Sequence, residues 1–67
     1  MTAATVNGEP RTLPDEATVA TVVGLLTQQR TGVAVALNGE VVPLHKWSST
    51  YVDEGDAVEV LTAVQGG

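Results

Sequence analysis

The sequence contains neither cysteine nor phenylalanine among its 67 residues. Without cysteine the chain cannot form a disulfide, an iron–sulfur cluster or a zinc site built on thiolates. A chain of this length makes one domain, and its stability has to come from an apolar core. Its many valines are branched aliphatic residues that pack well in sheets. We therefore predict a single β-rich domain over residues 1–67.

Basic residues are scarce. Three lysines and arginines stand against eight aspartates and glutamates, which gives a formal net charge of −5. A nucleic-acid-binding protein needs a basic face to offset phosphate charge, so the composition argues against nucleic acid and against an anionic membrane surface. It suits electrostatic steering towards a basic protein partner. Ordinary solubility is the simpler alternative.

Long apolar runs are absent. No stretch approaches the roughly 20 residues that a membrane-spanning helix needs. Residues 1–5 show no basic segment followed by an apolar stretch, which is the pattern of a signal peptide. We expect a cytoplasmic protein without a membrane partner.

Catalytic groups in a recognisable arrangement are missing too. His45 is the single histidine, and Ser48 and Ser49 have no histidine and carboxylate at a suitable spacing. The acidic turn over residues 53–56 falls short of a calcium-binding loop. Neither phosphate-binding glycine pattern occurs. We expect that the chain is not an enzyme and binds no metal or cofactor itself.

Turn signals and periodicity predict the secondary structure. Asn-Gly pairs at residues 7–8 and 38–39 favour tight hairpin turns, and Pro10 places the arm that contains it at a sheet edge. Residues 33–37 and 57–64 alternate in the manner of strands, so that Leu61 faces away from its neighbours in the second of these.

A single helix is predicted over residues 19–30. Thr18 is suited to be its N-cap, and Gly32 is suited to end it. Apolar residues at helical spacing form one stripe for the core, namely Val19, Val22, Val23 and Leu26. The predicted fold class is α+β, with one main helix on one face of a mixed sheet of four to five strands.

The sequence ends in Gly66-Gly67, which we interpret as a thin, flexible tail that can enter a slot too narrow for side chains. An α-carboxylate has a pKa of about 3.3–3.7 and is ionised, which makes it a poor electrophile. To become an acyl donor it needs activation by ATP in a partner enzyme. Ordering such a tail costs about 1–2 kcal/mol per residue. Leu61 and Trp47 are candidates for compensating partner contacts, with simple packing as the alternative for both.

Several segments in this order resemble a known family. They are residues 37–43 (LNGEVVP), Trp47, residues 54–60 (EGDAVEV) and Gly66-Gly67. Together they resemble the ubiquitin-like β-grasp sulfur carriers, and most of all the ThiS family of thiamine biosynthesis. The resemblance covers essentially the whole chain. It implies that the first and last strands lie side by side in parallel and that the helix packs across the sheet.

The resemblance also implies partners and site residues. A ThiF-like adenylyltransferase would use MgATP to adenylate Gly67, and sulfur from a cysteine desulfurase relay would convert the adenylate to a thiocarboxylate. Thiazole synthase (ThiG-like) would receive the sulfur. Gly66 and Gln65 would enter the partner active sites. The expected partner surface consists of Leu61, Ala63, Val64 and Trp47.

Four alternatives remain open at this point, one of which is a sulfur carrier that serves an amino-acid or tRNA pathway. The small subunit of molybdopterin synthase uses the same terminal chemistry, although Pro43 and Trp47 favour the thiamine pathway. A ubiquitin-like modifier would be joined to lysines through Gly67. A plain interaction module would carry the glycines without using them.

Overall fold

The computed structural model describes residues 1–27 and 32–62. Its elements are β1 (Thr2–Val6), β2 (Glu9–Leu13), α1 (Val19–Leu26), β3 (Val33–Leu37), β4 (Glu40–Val41), a 3₁₀ helix (Leu44–Ser49) and β5 (Ala57–Thr62). None of the helices in this part of the chain has the length and apolar character needed to cross a membrane.

The five strands form one mixed sheet in the order β2-β1-β5-β3-β4. β1 and β5 pair in parallel at its centre, with Thr5 opposite Ala57 and Val6 opposite Val58. The other neighbours pair antiparallel. The predicted mixed sheet and the parallel pairing of its first and last strands are both confirmed.

Both Asn-Gly pairs form the predicted hairpin turns. Asn7 and Gly8 have φ angles of 53° and 83°, and Asn38 and Gly39 have 51° and 87°. A tight turn of the type that matches strand twist needs positive φ at both central residues, which asparagine and glycine tolerate. Pro10 lies in β2, an edge strand of the sheet, as predicted.

The helix begins as predicted but ends early. The Thr18 hydroxyl accepts from the Thr21 backbone N–H at 3.3 Å, and the Thr21 hydroxyl accepts from the Thr18 N–H at 3.2 Å. The predicted helix over residues 19–30 is wrong at its end, because α1 stops at Leu26 and Thr27 is extended. Valine and Gly24 are poor helix formers, so the helix extends only as far as packing supports it.

One core lies between the sheet and its two helical segments. The face of the sheet that carries Val6, Val35, Val58 and Val60, here called the inner face, packs against α1 and the 3₁₀ helix. Val19, Val22 and Val23 of the predicted stripe are buried, whereas Leu26 is 37% exposed. The stripe is therefore a core feature, and it weakens where the helix ends.

Candidate functional site on the last strand

β5 has two faces of opposite character. Val58 and Val60 are 1% and 6% exposed and belong to the core, while Leu61 is 70% exposed. Side chains of successive strand residues point to opposite faces, so Leu61 projects from the face turned away from the helix. The predicted orientation of Leu61 is confirmed.

The surface around Leu61, here called the outer face, consists of small apolar residues with an acidic neighbour. Ala34 pairs with Leu61, and Ala36 pairs with both Glu59 and Val41. Directly paired residues lie on the same face of a sheet. Because the alanines are short, Leu61 and the 78% exposed Val41 project above them. Such a surface can contact a partner through apolar side chains beside a negative charge.

The beginning of β5 is held by the second hairpin turn. The Asn38 side-chain oxygen accepts from the Ala57 N–H at 2.9 Å, and the Asn38 N–H donates to the Ala57 carbonyl at 2.7 Å. The Asn38 amide also donates to Asp56 at 3.0 Å, and the Asp56 carboxylate accepts from the Asp53 N–H at 2.8 Å. The Asp56 carboxylate thus serves to join two turns.

The far end of β5 is held by the first hairpin turn. The Asn7 N–H donates to the Val58 carbonyl at 2.9 Å. The Asn7 side-chain oxygen accepts from the Val60 N–H at 2.8 Å, and its amide nitrogen donates to the Val60 carbonyl at 3.2 Å. On the opposite edge, Thr62 pairs with Val33 of β3. Both edges of β5 are therefore fixed close to its last residue.

Trp47 is a core residue, and the expectation that it forms part of the partner surface is wrong. Its side chain is only 4% exposed, and its indole N–H donates to the Val42 carbonyl at 2.9 Å. A buried indole usually finds such a hydrogen-bond partner. The 3₁₀ helix turns Trp47 inward, while its neighbours Leu44 and His45 remain at the surface. The packing alternative is the one observed.

The remaining predicted site residues lie outside the described residues. These are Ala63, Val64, Gln65, Gly66 and Gly67. Their roles as partner surface, inserted tail and modified terminus stay predictions. The predicted single domain over residues 1–67 and its tail over residues 65–67 stay predictions as well.

A shallow groove lies beside β4, on the side of the 3₁₀ helix. It encloses about 230 Å³. Its lining residues are Leu37, Glu40, Val41, Val42, Pro43, Lys46 and Thr50. Among residues 1–27 and 32–62, no three histidine, cysteine or acidic side chains group in a way that would hold a metal ion. The groove is lined by apolar residues together with one lysine and one glutamate.

Sequence reasoning missed two residues of this region. The sequence pattern indicates only a turn at Asn7, although VNGE at residues 6–9 parallels LNGE at residues 37–40. The sequence patterns above give no orientation for Val41. The alternation between it and Val42, which is 9% exposed, is the signal that would have placed it outside.

Comparison with known proteins gives a family match and a similar solved structure. The family model described as the ThiS family matches residues 4–67. The crystal structure of the thiamine biosynthesis protein ThiS from Geobacter metallireducens is similar, with a TM-score of 0.76 and 38% identity. The match covers 97% of this chain and 99% of that one.

Among the curated proteins that are similar in sequence, two have informative names. A thiazole synthase of Paramagnetospirillum magneticum is 34% identical over 92% of this chain. The matched stretch spans only 19% of the length of that thiazole synthase. The sulfur carrier protein ThiS of Escherichia coli is 33% identical over 63% of this chain and 64% of its own length.

Proposed function

The chain belongs to the ThiS family, and on that basis we propose that it is a sulfur carrier protein of thiamine biosynthesis whose Gly67 carries the sulfur. The observation that carries the proposal is the family match, which runs from residue 4 through Gly67. The similarity to a ThiS structure across nearly the full length of both chains supports it.

The proposed first step activates the terminal carboxylate. One oxygen of the Gly67 carboxylate attacks the α-phosphorus of ATP, an O–P bond forms, and pyrophosphate leaves with the electron pair of the broken P–O bond. The nucleotide and its magnesium belong to an adenylyltransferase partner of the ThiF-like kind. The carrier binds no cofactor itself. Its contribution is to present the carboxylate in an orientation suited to attack.

The second step exchanges oxygen for sulfur. Hydrosulfide adds to the carbonyl carbon of the adenylate, its proton passes to solvent, and AMP departs with the oxygen through which it was attached. When a protein persulfide derived from cysteine supplies the sulfur, an acyl disulfide forms first. A thiol then cleaves its S–S bond, which leaves the thiocarboxylate on Gly67 and a disulfide on the donor. The carrier acts as a co-substrate, not as a catalyst, in both steps.

The geometry of β5 supports this role. β5 is the central strand of the sheet and is bonded on both edges. Residues 63–67 therefore continue from a strand whose backbone is fixed. Leu61, on the outer face beside that end, is suited to contact a partner enzyme. Together with Ala63 and Val64 it forms the proposed partner surface, and Gln65 and Gly66 are proposed to enter the partner active site.

We propose thiazole synthase as the sulfur acceptor. A stretch similar to this chain forms part of a protein named thiazole synthase. Sequences that act together are joined in one chain when their proximity raises the effective concentration of each for the other. We further propose that the protein acts in the cytoplasm.

Intact-mass measurement tests the proposal directly. The full chain is incubated with its adenylyltransferase, MgATP and sodium sulfide. We expect the mass to rise by the difference between one sulfur and one oxygen atom. A chain without Gly67 should stay unmodified and keep its melting temperature, because Gly67 comes five residues after Thr62, the last residue of β5. An unchanged mass for the full chain, with an enzyme that modifies its own established carrier, would refute the proposal.

Genetic complementation tests the pathway. A strain that lacks its thiamine sulfur carrier should grow without added thiamine when it produces this protein and its partner enzymes. Restored molybdoenzyme activity in place of thiamine independence would assign the carrier to molybdopterin synthesis. Adducts of the protein on lysines would assign it to protein conjugation.

A further inference from the structure

We propose that Asn7 is a positioning residue for the reacting terminus: its side-chain amide holds the backbone of Val60 and thereby sets the direction in which the chain leaves β5. Its structural part stands on the observed hydrogen bonds. Its functional part rests on the proposed chemistry at Gly67.

The backbone of β1 cannot make these bonds itself. Within a strand, successive residues direct their N–H and C=O groups to opposite edges, so Val58 and Val60 both turn theirs towards β1. The Asn7 N–H still reaches the Val58 carbonyl. At the same residue the φ angle becomes positive and the chain turns away into the hairpin. The next peptide of β1 is therefore not available to Val60.

The Asn7 side chain takes the place of that peptide. A carboxamide has one carbonyl acceptor and N–H donors, as a peptide group does. Both are used on one residue, with the Val60 N–H donating at 2.8 Å and the Val60 carbonyl accepting at 3.2 Å. The parallel pairing of β1 with β5 is thus extended by one residue beyond the point where β1 ends.

Two requirements coincide at this position. The backbone is left-handed, which favours glycine, asparagine and aspartate. Bonding both groups of Val60 needs a donor and an acceptor together, which glycine lacks and an ionised aspartate only half provides. Among these three residues, asparagine alone satisfies both requirements.

The consequence concerns the last residues of β5. Leu61 and Thr62 are paired with Ala34 and Val33 on the β3 edge. On the β1 edge, Asn7 is the one described residue whose hydrogen bonds hold this part of the strand. Without its amide, the end of β5 would be held from one edge only. The exit direction of the chain would then vary, which costs orientation at the distant reacting group.

Asn38 provides a matched control within the same molecule. It occupies the same position of an Asn-Gly turn, with φ of 51° against 53° for Asn7. Its side chain also bonds the β5 backbone, but at Ala57, the first residue of the strand. Asn38→Gly and Asn7→Gly therefore remove equivalent amides from opposite ends of β5, and both keep a residue that accepts the left-handed backbone.

The first measurement is nuclear magnetic resonance of the free protein. In Asn7→Gly we expect the Val60 amide to lose its protection against hydrogen exchange, and the backbone order parameters of Leu61 and Thr62 to fall. In Asn38→Gly those values should match the original protein. Unchanged order at Leu61 and Thr62 in Asn7→Gly, or an equal loss in both variants, would overturn the proposal.

The second measurement is pyrophosphate release by the adenylyltransferase, with the carrier as the varied substrate. For Asn7→Gly we expect KM to rise about tenfold and kcat to change less than about twofold, since a less ordered end weakens productive binding. Asn38→Gly should stay within about twofold on both constants. An equal rise of KM in the two variants would show a merely structural effect and overturn the proposal.

Asn7→Asp provides a second variant if Asn7→Gly does not fold. It keeps the acceptor for the Val60 N–H and loses the donor, so we expect the order parameters of Leu61 and Thr62 to fall below those of the original protein and KM to rise above its value. Values equal to the original protein would overturn the proposal. If the original protein itself is not adenylated, the sulfur-carrier function fails. The order parameters then decide the structural claim alone.

Discussion

Val60 and Leu61 are neighbours in β5 and lie in opposite environments. Val60 is 6% exposed within the core, and Leu61 is 70% exposed on a face that carries alanines and Glu59. The inner face is packed by branched side chains and so contributes to the free energy of unfolding. The outer face leaves its largest apolar side chains in water, where they gain nothing for the free fold. The difference separates residues that maintain the fold from residues available for recognition.

The largest effect on stability should come from Trp47→Ala. Removing a buried indole leaves a cavity and should lower the free energy of unfolding by about 3–5 kcal/mol, as measured by urea denaturation. His45→Ala, an exposed neighbour in the same 3₁₀ helix, is the control and should change it by less than about 0.5 kcal/mol. Equal stability of the two variants would remove Trp47 from the inner side of the comparison.

An intermediate effect should come from valine substitutions on the two faces. Val58→Ala removes a side chain that is 1% exposed, and it should lower the free energy of unfolding by roughly 0.5–3 kcal/mol. Val41→Ala is the same chemical change at a residue that is 78% exposed, and it should cost less than about 0.5 kcal/mol. Equal losses in denaturation experiments would abolish the distinction between the faces.

The smallest effect on stability should come from Leu61→Glu. The exposed side chain lies outside the core. The free energy of unfolding should therefore change by no more than about 0.5 kcal/mol, and the melting curve followed by circular dichroism should shift only slightly. Binding to the proposed adenylyltransferase partner should weaken nonetheless, because a charge replaces an apolar side chain of the proposed partner surface. Titration calorimetry with the original protein as reference measures this. An unfolded variant would assign Leu61 to the core, and unaltered binding would remove it from the partner surface.

Local features of the fold were predictable from the sequence. The two Asn-Gly turns form because asparagine and glycine accept positive φ, and the Thr18 cap forms because its hydroxyl reaches the Thr21 N–H. The alternation of β5 placed Leu61 outside and Val58 inside. Each of these features depends on residues within a few positions of one another.

The errors concern features that depend on tertiary packing. The helix ends at Leu26 and not at residue 30, because valines and Gly24 hold a helical backbone only where packing supports it. Trp47 faces inward because its ring packs in the core and its indole N–H donates to the Val42 carbonyl. No periodicity around residues 44–50 indicated that orientation, since a short 3₁₀ helix has no repeated stripe.

The turns, the start of the helix and the alternation of the strands can be read from the sequence alone, since they follow from backbone preferences and side-chain reach over short distances. The sequence also indicates the family, whose characteristic segments extend to Gly67. The burial of Trp47 and the bond from Asn7 to Val60, 53 residues further along the chain, become visible only in the folded structure. Such contacts exist only after the strands have assembled, when β1 turns away and leaves the peptide of Val60 for a side chain to bind.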